Sequence, residues 1–150
     1  MGRVIEIATC DKSGADMVIN ASANVTMEKG IGDDYRGAKV DARDRQVSVI
    51  TKENWDLVCQ ELGTKLHWTT RKANIIIEGV NLENSTGSIL KIGDSFLEIT
   101  GQLPVGNRLE KQYAGLKGAL TPNWRGGVAA KVVHEGVIHE DDEVLLGDRD

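Results

Sequence analysis

Aromatic residues make up only 4% of this 150-residue chain, with a single Phe. A core of stacked rings is therefore excluded, and packing must rest on Val, Ile and Leu, whose β-branched members favour strands. Cysteine is equally scarce, at two residues. Cys10 and Cys59 stand far apart with no CxxC or Cys/His spacing, so neither a zinc site nor a disulfide framework is indicated and a reducing compartment is the default. No apolar run approaches membrane-spanning length, and MGRVIEIATCDKSG lacks the apolar segment of a secretory leader. A cytoplasmic protein that does not engage a membrane is expected. The net charge of −5 argues against coating nucleic acid through the overall field, while leaving room for a local basic pocket. GxSxG and P-loop patterns are missing, as is any internal repeat. His67, His134 and His139 show no metal-ligating spacing, so no metal site is read from them.

What is present reads as strands. The length suits one domain over residues 1–150. Arg3 to Thr9 (RVIEIAT) reads as an opening strand, and Met17 to Met27 is compatible with another. MEKGIGDDYRGAKVDARDR then lacks apolar periodicity, which in a domain of this size marks a functional or mobile segment. QVSVI, residues 46 to 50, alternates as a half-buried strand should. In TKENWDLVCQELG, Trp55, Val58, Cys59 and Leu62 share one helical face, with Thr51 as N-cap and Gly63 as stop. Cys59 thus reads as a core filler, and Cys10, in a polar loop, as the more accessible thiol. ANIIIEGV and SILKIG are strands; Gly93-Asp94 turns the second into SFLEITG, and GVAAKVV, Glu135-Gly136 and VIH repeat that hairpin signature. The acidic tail HEDDEVLLGDRD reads as a solvated end. The pattern predicts a mostly β fold, a closed or partly closed barrel with two short helices rather than a βαβ sheet.

Four polar clusters interrupt the strands: residues 32–37, 44–46, 71–74, and Gly106-Asn107-Arg108 with Arg125-Gly126-Gly127. Each lies at an element end, where barrels place ligand contacts. In TGQLPVGNRLE, Asn107 and Glu110 have the spacing of a capping box, and Gly106 would let a ligand approach the backbone. Such a helix start with Arg108 suits an anion, although an ordinary capped helix with a solvent-facing arginine has the same pattern. Alternation puts Arg71 and Ala73 on one face and Lys72 and Asn74 on the other. One face must then point into the barrel or its mouth, unless the stretch is simply a solvated strand start.

Taken in order, GDDYRG, DRQVSVITKENWDLVCQELG, RKANIIIEGVNL, LKIGDSFLEITG, RLE at 108 to 110 and WRGGVAAKVVHEGVIHEDDEVLL resemble the MOSC domain, the module found at the C-terminus of molybdenum cofactor sulfurases and as stand-alone small proteins. The resemblance implies a distorted β-barrel with a few short helices and a pocket of strand ends and loops. It also implies binding of the molybdenum cofactor (molybdopterin) or a similar small phosphorylated cofactor, or sulfur handling with a molybdoenzyme or cysteine desulfurase as partner. A link to pyridoxal phosphate comes only through fused sulfurases, whose separate N-terminal domain is not among these residues. Many MOSC domains carry a sulfur-carrier cysteine two residues before an arginine; Gly106 occupies that place here. Whether the chain is an enzyme stays open, with Cys10 the candidate thiol for sulfur transfer or a molybdenum-dependent reaction. A non-catalytic interaction domain is the other alternative. The cofactor-binding set implied is Asp33, Arg45, Arg71, Asn74, Gly106, Asn107, Arg108 and Arg125.

Overall fold

In the computed structural model, residues 2–37 and 44–147 are described; the part of the irregular segment at 38–43 and the last residues of the tail lie outside them. Hydrogen bonding joins β1 (Gly2–Thr9), β6 (Ile75–Glu78), β5 (Val47–Thr51), β9 (Val128–His134), β8 (Ser95–Gln102), β7 (Ile89–Ile92) and β11 (Glu143–Gly147) edge to edge. The pairing of Gly2 with Val144 and Arg3 with Glu143 brings β11 back to β1, which closes a seven-stranded barrel and leaves those strands no free edge. A short β2 (Val18–Asn20) extends β1, and β3 (Ser22–Thr26), β4 (Gly30–Ile31) and β10 (Gly136–His139) form a separate three-stranded sheet.

Period-two alternation decides which residues fill the barrel. Val4, Ile7, Val47, Val49, Ile75, Ile77, Val128 and Val144 belong to one buried cluster inside it. Ile50 and Ile76, one residue out of phase, belong to a second cluster beneath α1 (Lys52–Leu62), α2 (Arg108–Gln112) and α3 (Leu116–Leu120). β5 is therefore buried on both faces, where its sequence suggested half-burial. The α1 boundaries follow the predicted signals. Thr51 accepts from the Asn54 N–H, and Gly63 ends the helix in the left-handed region at φ 68°.

Four expectations are corrected. β5 and β6 are parallel with α1 between them, so one βαβ crossover is built into the barrel. β10 pairs with β3 rather than with β9, so the 135–136 turn makes no hairpin. The acidic tail is not a solvated end: β11 within it pairs with β7 and β1, and Val144 is fully buried. Among the described residues there are three short α-helices, one more than the pattern suggested and in line with the few that the resemblance implies, beside 3-10 turns at Trp68–Arg71 and Pro122–Trp124. Among the described residues no helix is long and apolar enough to cross a membrane.

Candidate functional site

Ser48 and Asn74 share the phase of Ile50 and Ile76, so they face out of the barrel towards the helix side. A cavity of about 400 Å³ opens there, between the starts of β5 and β6, the 70–72 turn, the 35–36 loop and the segment 103–112. Its size is that of a small-molecule site. Its charge is one-sided. Arg36, Arg45, Arg71, Lys72 and Arg108 line it and, among the described residues, no acidic residue does, on a chain whose net charge is −5. Low-dielectric walls of one sign concentrate the field, so an anion is attracted locally against the overall charge.

Arg71 is the most buried of these cations, at 7% exposure. It ends the 3-10 turn, and Lys72 follows in the left-handed region at φ 62°. The expected strand start is thus a turn, and alternation does not govern these residues. Nε of Arg71 donates to the Gly126 carbonyl at 2.9 Å, and Nη2 to the Leu103 and Pro104 carbonyls at 3.2 and 3.0 Å. Nη1 has no hydrogen-bond partner among the described residues, and no carboxylate among them pairs with the group. Burial, followed by the charge of Arg36, lowers its pKa to about 10. The guanidinium therefore stays charged at neutral pH although its surroundings disfavour that charge. Gly126 permits this arrangement, since a Cβ there would lie 2.8 Å from Val105 Cγ2 and 3.2 Å from Arg71 Nη2.

Asp34, not Asp33, is the buried carboxylate of the GDDYRG loop. Asp33 is exposed and away from the cavity. Asp34 Oδ1 accepts from the Arg36 backbone N–H at 3.0 Å, an Asx turn, and from Arg36 Nε at 2.9 Å. Oδ2 accepts from Arg36 Nη2, the Cys10 N–H and Asn74 Nδ2 at 2.8, 2.9 and 2.9 Å. Burial alone would raise the Asp34 pKa, but the hydrogen bonds and charge of Arg36, with the backbone N–H groups, carry it below the usual value. Asn74 is spent on the same network: Nδ2 also donates to the Ala8 carbonyl, and Oδ1 accepts from the Ser48 N–H and hydroxyl.

Of the residues implied by sequence, the cavity brings together Arg45, Arg71, Asn74, Gly106 and Arg108. Arg125 lies elsewhere, paired with Glu61 at 2.7 Å. Asn107 does not cap α2 with its side chain; it accepts from Lys117 Nζ, while Glu110 accepts from the Gly115 and Lys117 N–H groups. The capping box is therefore absent, because the chain re-enters α3 close enough to take both side chains. Cys10 is buried rather than accessible, its thiol donating to the Lys12 and Ala15 carbonyls at 3.0 and 3.3 Å. A Cβ added at Gly106 would meet nothing within 4 Å. Sequence reasoning missed Arg36 and Asp34; the signal was their i, i+2 spacing, which lets one carboxylate hold both the backbone and the side chain of the arginine. Among the described residues no group of three His, Cys, Asp or Glu could hold a metal ion.

A family model, MOSC domain, matches residues 27–145. No curated protein matches the chain by sequence. Among solved structures, the YuaD protein from Bacillus subtilis is similar with a TM-score of 0.77 and 14% identity, covering 100% of this chain and 98% of that one. YiiM from Geobacillus stearothermophilus is similar with a TM-score of 0.79 and 15% identity over 99% of this chain and 76% of its own. For YiiM from Escherichia coli the values are 0.73 and 16%, over 99% and 71%. At these identities the structures establish the shared fold.

Proposed function

This chain belongs to the MOSC domain family, and we propose that its cavity binds the molybdenum cofactor or a similar phosphorylated ligand as a carrier or accessory protein. The observation that carries this reading is Arg71, a buried cation on a cavity wall with neutral carbonyls on two of its nitrogens and no carboxylate counter-ion among the described residues. An unpaired buried charge is costly, and a ligand phosphate would compensate it. Arg45, Lys72 and Arg108 add donors at the rim, so the residues present fit a phosphate and the acceptor edge of a pterin. Their fit to the metal end is poorer, because no thiolate lines the cavity.

The sulfur-carrier alternative has less support. Gly106 leaves room for a thiol but carries none, and Cys10 is enclosed and does not line the cavity. A molybdoenzyme receiving the ligand is the partner this reading implies. The test is to co-express the protein with the molybdopterin pathway and assay the pterin and phosphate retained after purification. Retention by wild type and its loss in Arg71→Ala and Arg108→Ala are expected. Equal retention in all three proteins overturns the reading.

A further inference from the structure

Of the four guanidinium groups that line the cavity, Arg36 and Arg71 are left in opposite states by their hydrogen bonds. Every nitrogen of Arg36 is engaged: Nε and Nη2 donate to Asp34, and Nη1 donates to the Lys72 carbonyl at 2.6 Å. Its charge is cancelled by a carboxylate whose side chain is 1% exposed. Asp34 is in turn fixed by the Cys10 N–H at the end of β1 and by Asn74 just ahead of β6, so the carboxylate ties the loop to the barrel wall. Arg71 has one nitrogen to spare and no counter-ion among the described residues.

Resting on the anion-binding reading above, we propose that Arg71 receives the ligand's anionic group, and that Arg36 is the resident counter-ion of Asp34 and does not touch the ligand. Arg36 is then a positioning residue. It is needed because a buried carboxylate beside the cavity would otherwise repel the anion, and because the Asp34 network holds the loop in place. The pair also fixes which arginine is available, since an arginine whose two forked donors are held by a carboxylate must break good bonds to turn that fork to another anion.

The distinction is testable with inorganic phosphate as the probe, by calorimetric titration of wild type, Arg36→Met, Asp34→Asn/Arg36→Met and Arg71→Met. Arg36→Met should weaken binding about tenfold or more, by leaving Asp34 unpaired. The double variant should bind about fivefold or more tighter than Arg36→Met, roughly seven-tenths of the energy of a tenfold loss restored. Both variants lack the bond to the Lys72 carbonyl, so their difference isolates the carboxylate. A double variant no tighter than Arg36→Met overturns the assignment. Should these variants fail to fold, nitrogen-15 spectra of the wild-type arginine side chains decide it: phosphate should move the Arg71 signal and leave that of Arg36, and the reverse pattern overturns the assignment. Absence of any phosphate binding to wild type would overturn the anion-binding reading and this inference together, whereas binding without rescue overturns the inference alone.

Discussion

Replacing Arg71 by Met keeps an unbranched side chain of similar reach and removes the charge. In the free protein burial, followed by the charge of Arg36, lowers the guanidinium pKa to about 10. That depression corresponds to roughly 3 kcal/mol of disfavoured charge at about 1.4 kcal/mol per pKa unit. Against this stand three hydrogen bonds to backbone carbonyls, each contributing about 1.5 kcal/mol as a charged donor. The opposing effects nearly cancel, so Arg71→Met should change folding stability by no more than about 2 kcal/mol. Anion binding is different, because the ligand neutralises the charge and gains charge-assisted bonds together. Losing that contact should cost about 3 kcal/mol, on the order of a 150-fold loss in affinity. Urea melts and calorimetric phosphate titration measure the two quantities separately. A well-folded Arg71→Met protein that binds phosphate within about threefold of wild type would refute the reasoning. Alkaline pH offers a second check. With the folded pKa depressed to about 10, the unfolded chain binds the extra proton in the alkaline window above about pH 10. Stability therefore rises with pH through that window in wild type relative to Arg71→Met, and saturating phosphate should abolish the difference.

Gly126→Ala should press on Val105 and Arg71, lowering stability by about 1–2 kcal/mol and anion affinity about tenfold; titration matching wild type would contradict the role given to that glycine. Gly106→Cys enters open space, so the melting temperature should barely move while a thiol reagent labels the new cysteine well before the buried Cys10. Asp34 gives an acid dependence: with its folded pKa below the ordinary 3.8, its stabilisation is present above that value and is lost as pH falls through the folded pKa. The stability gap between wild type and Asp34→Asn should therefore hold above about pH 4 and narrow as the pH falls below it in urea melts, and a constant gap would rule out ionised Asp34 as its source.

Strand identity was legible where one residue type alternated with another, and α1 was legible because its cap, stripe and stop all agreed. Barrel closure was not. The residues that close it, EVLLG, follow a run of carboxylates, and composition alone made the whole tail look solvated. Yet the acidic turn has local work: Asp142 accepts from the His139 N–H, and the Asp142 and Val4 main chains bond directly. Charge marked a turn at the strand start, and hydrophobic register then decided the pairing. The β10 pairing was hidden for a related reason, since a Gly-containing turn between two strands is compatible with a hairpin but does not require one.

The site was legible as residue types and not as roles. Arg71, Arg108 and Arg45 were found because they stand at element ends, but nothing in their neighbours distinguishes a free guanidinium from one bound to a carboxylate. That difference depends on contacts across the chain: Arg71 reaches residues 103, 104 and 126, while Asp34 reaches Cys10 and Asn74. Asp33 and Asp34 are adjacent in one motif, and a single step along the loop places one in solvent and the other at 2% exposure. Once Asp34 is the buried carboxylate, Arg36 must neutralise it. The cavity's unspent charge then falls to Arg71 and the rim cations. The missing thiol at Gly106 leaves this charge arrangement intact, so the anion binding proposed for this chain does not depend on a thiol at that position.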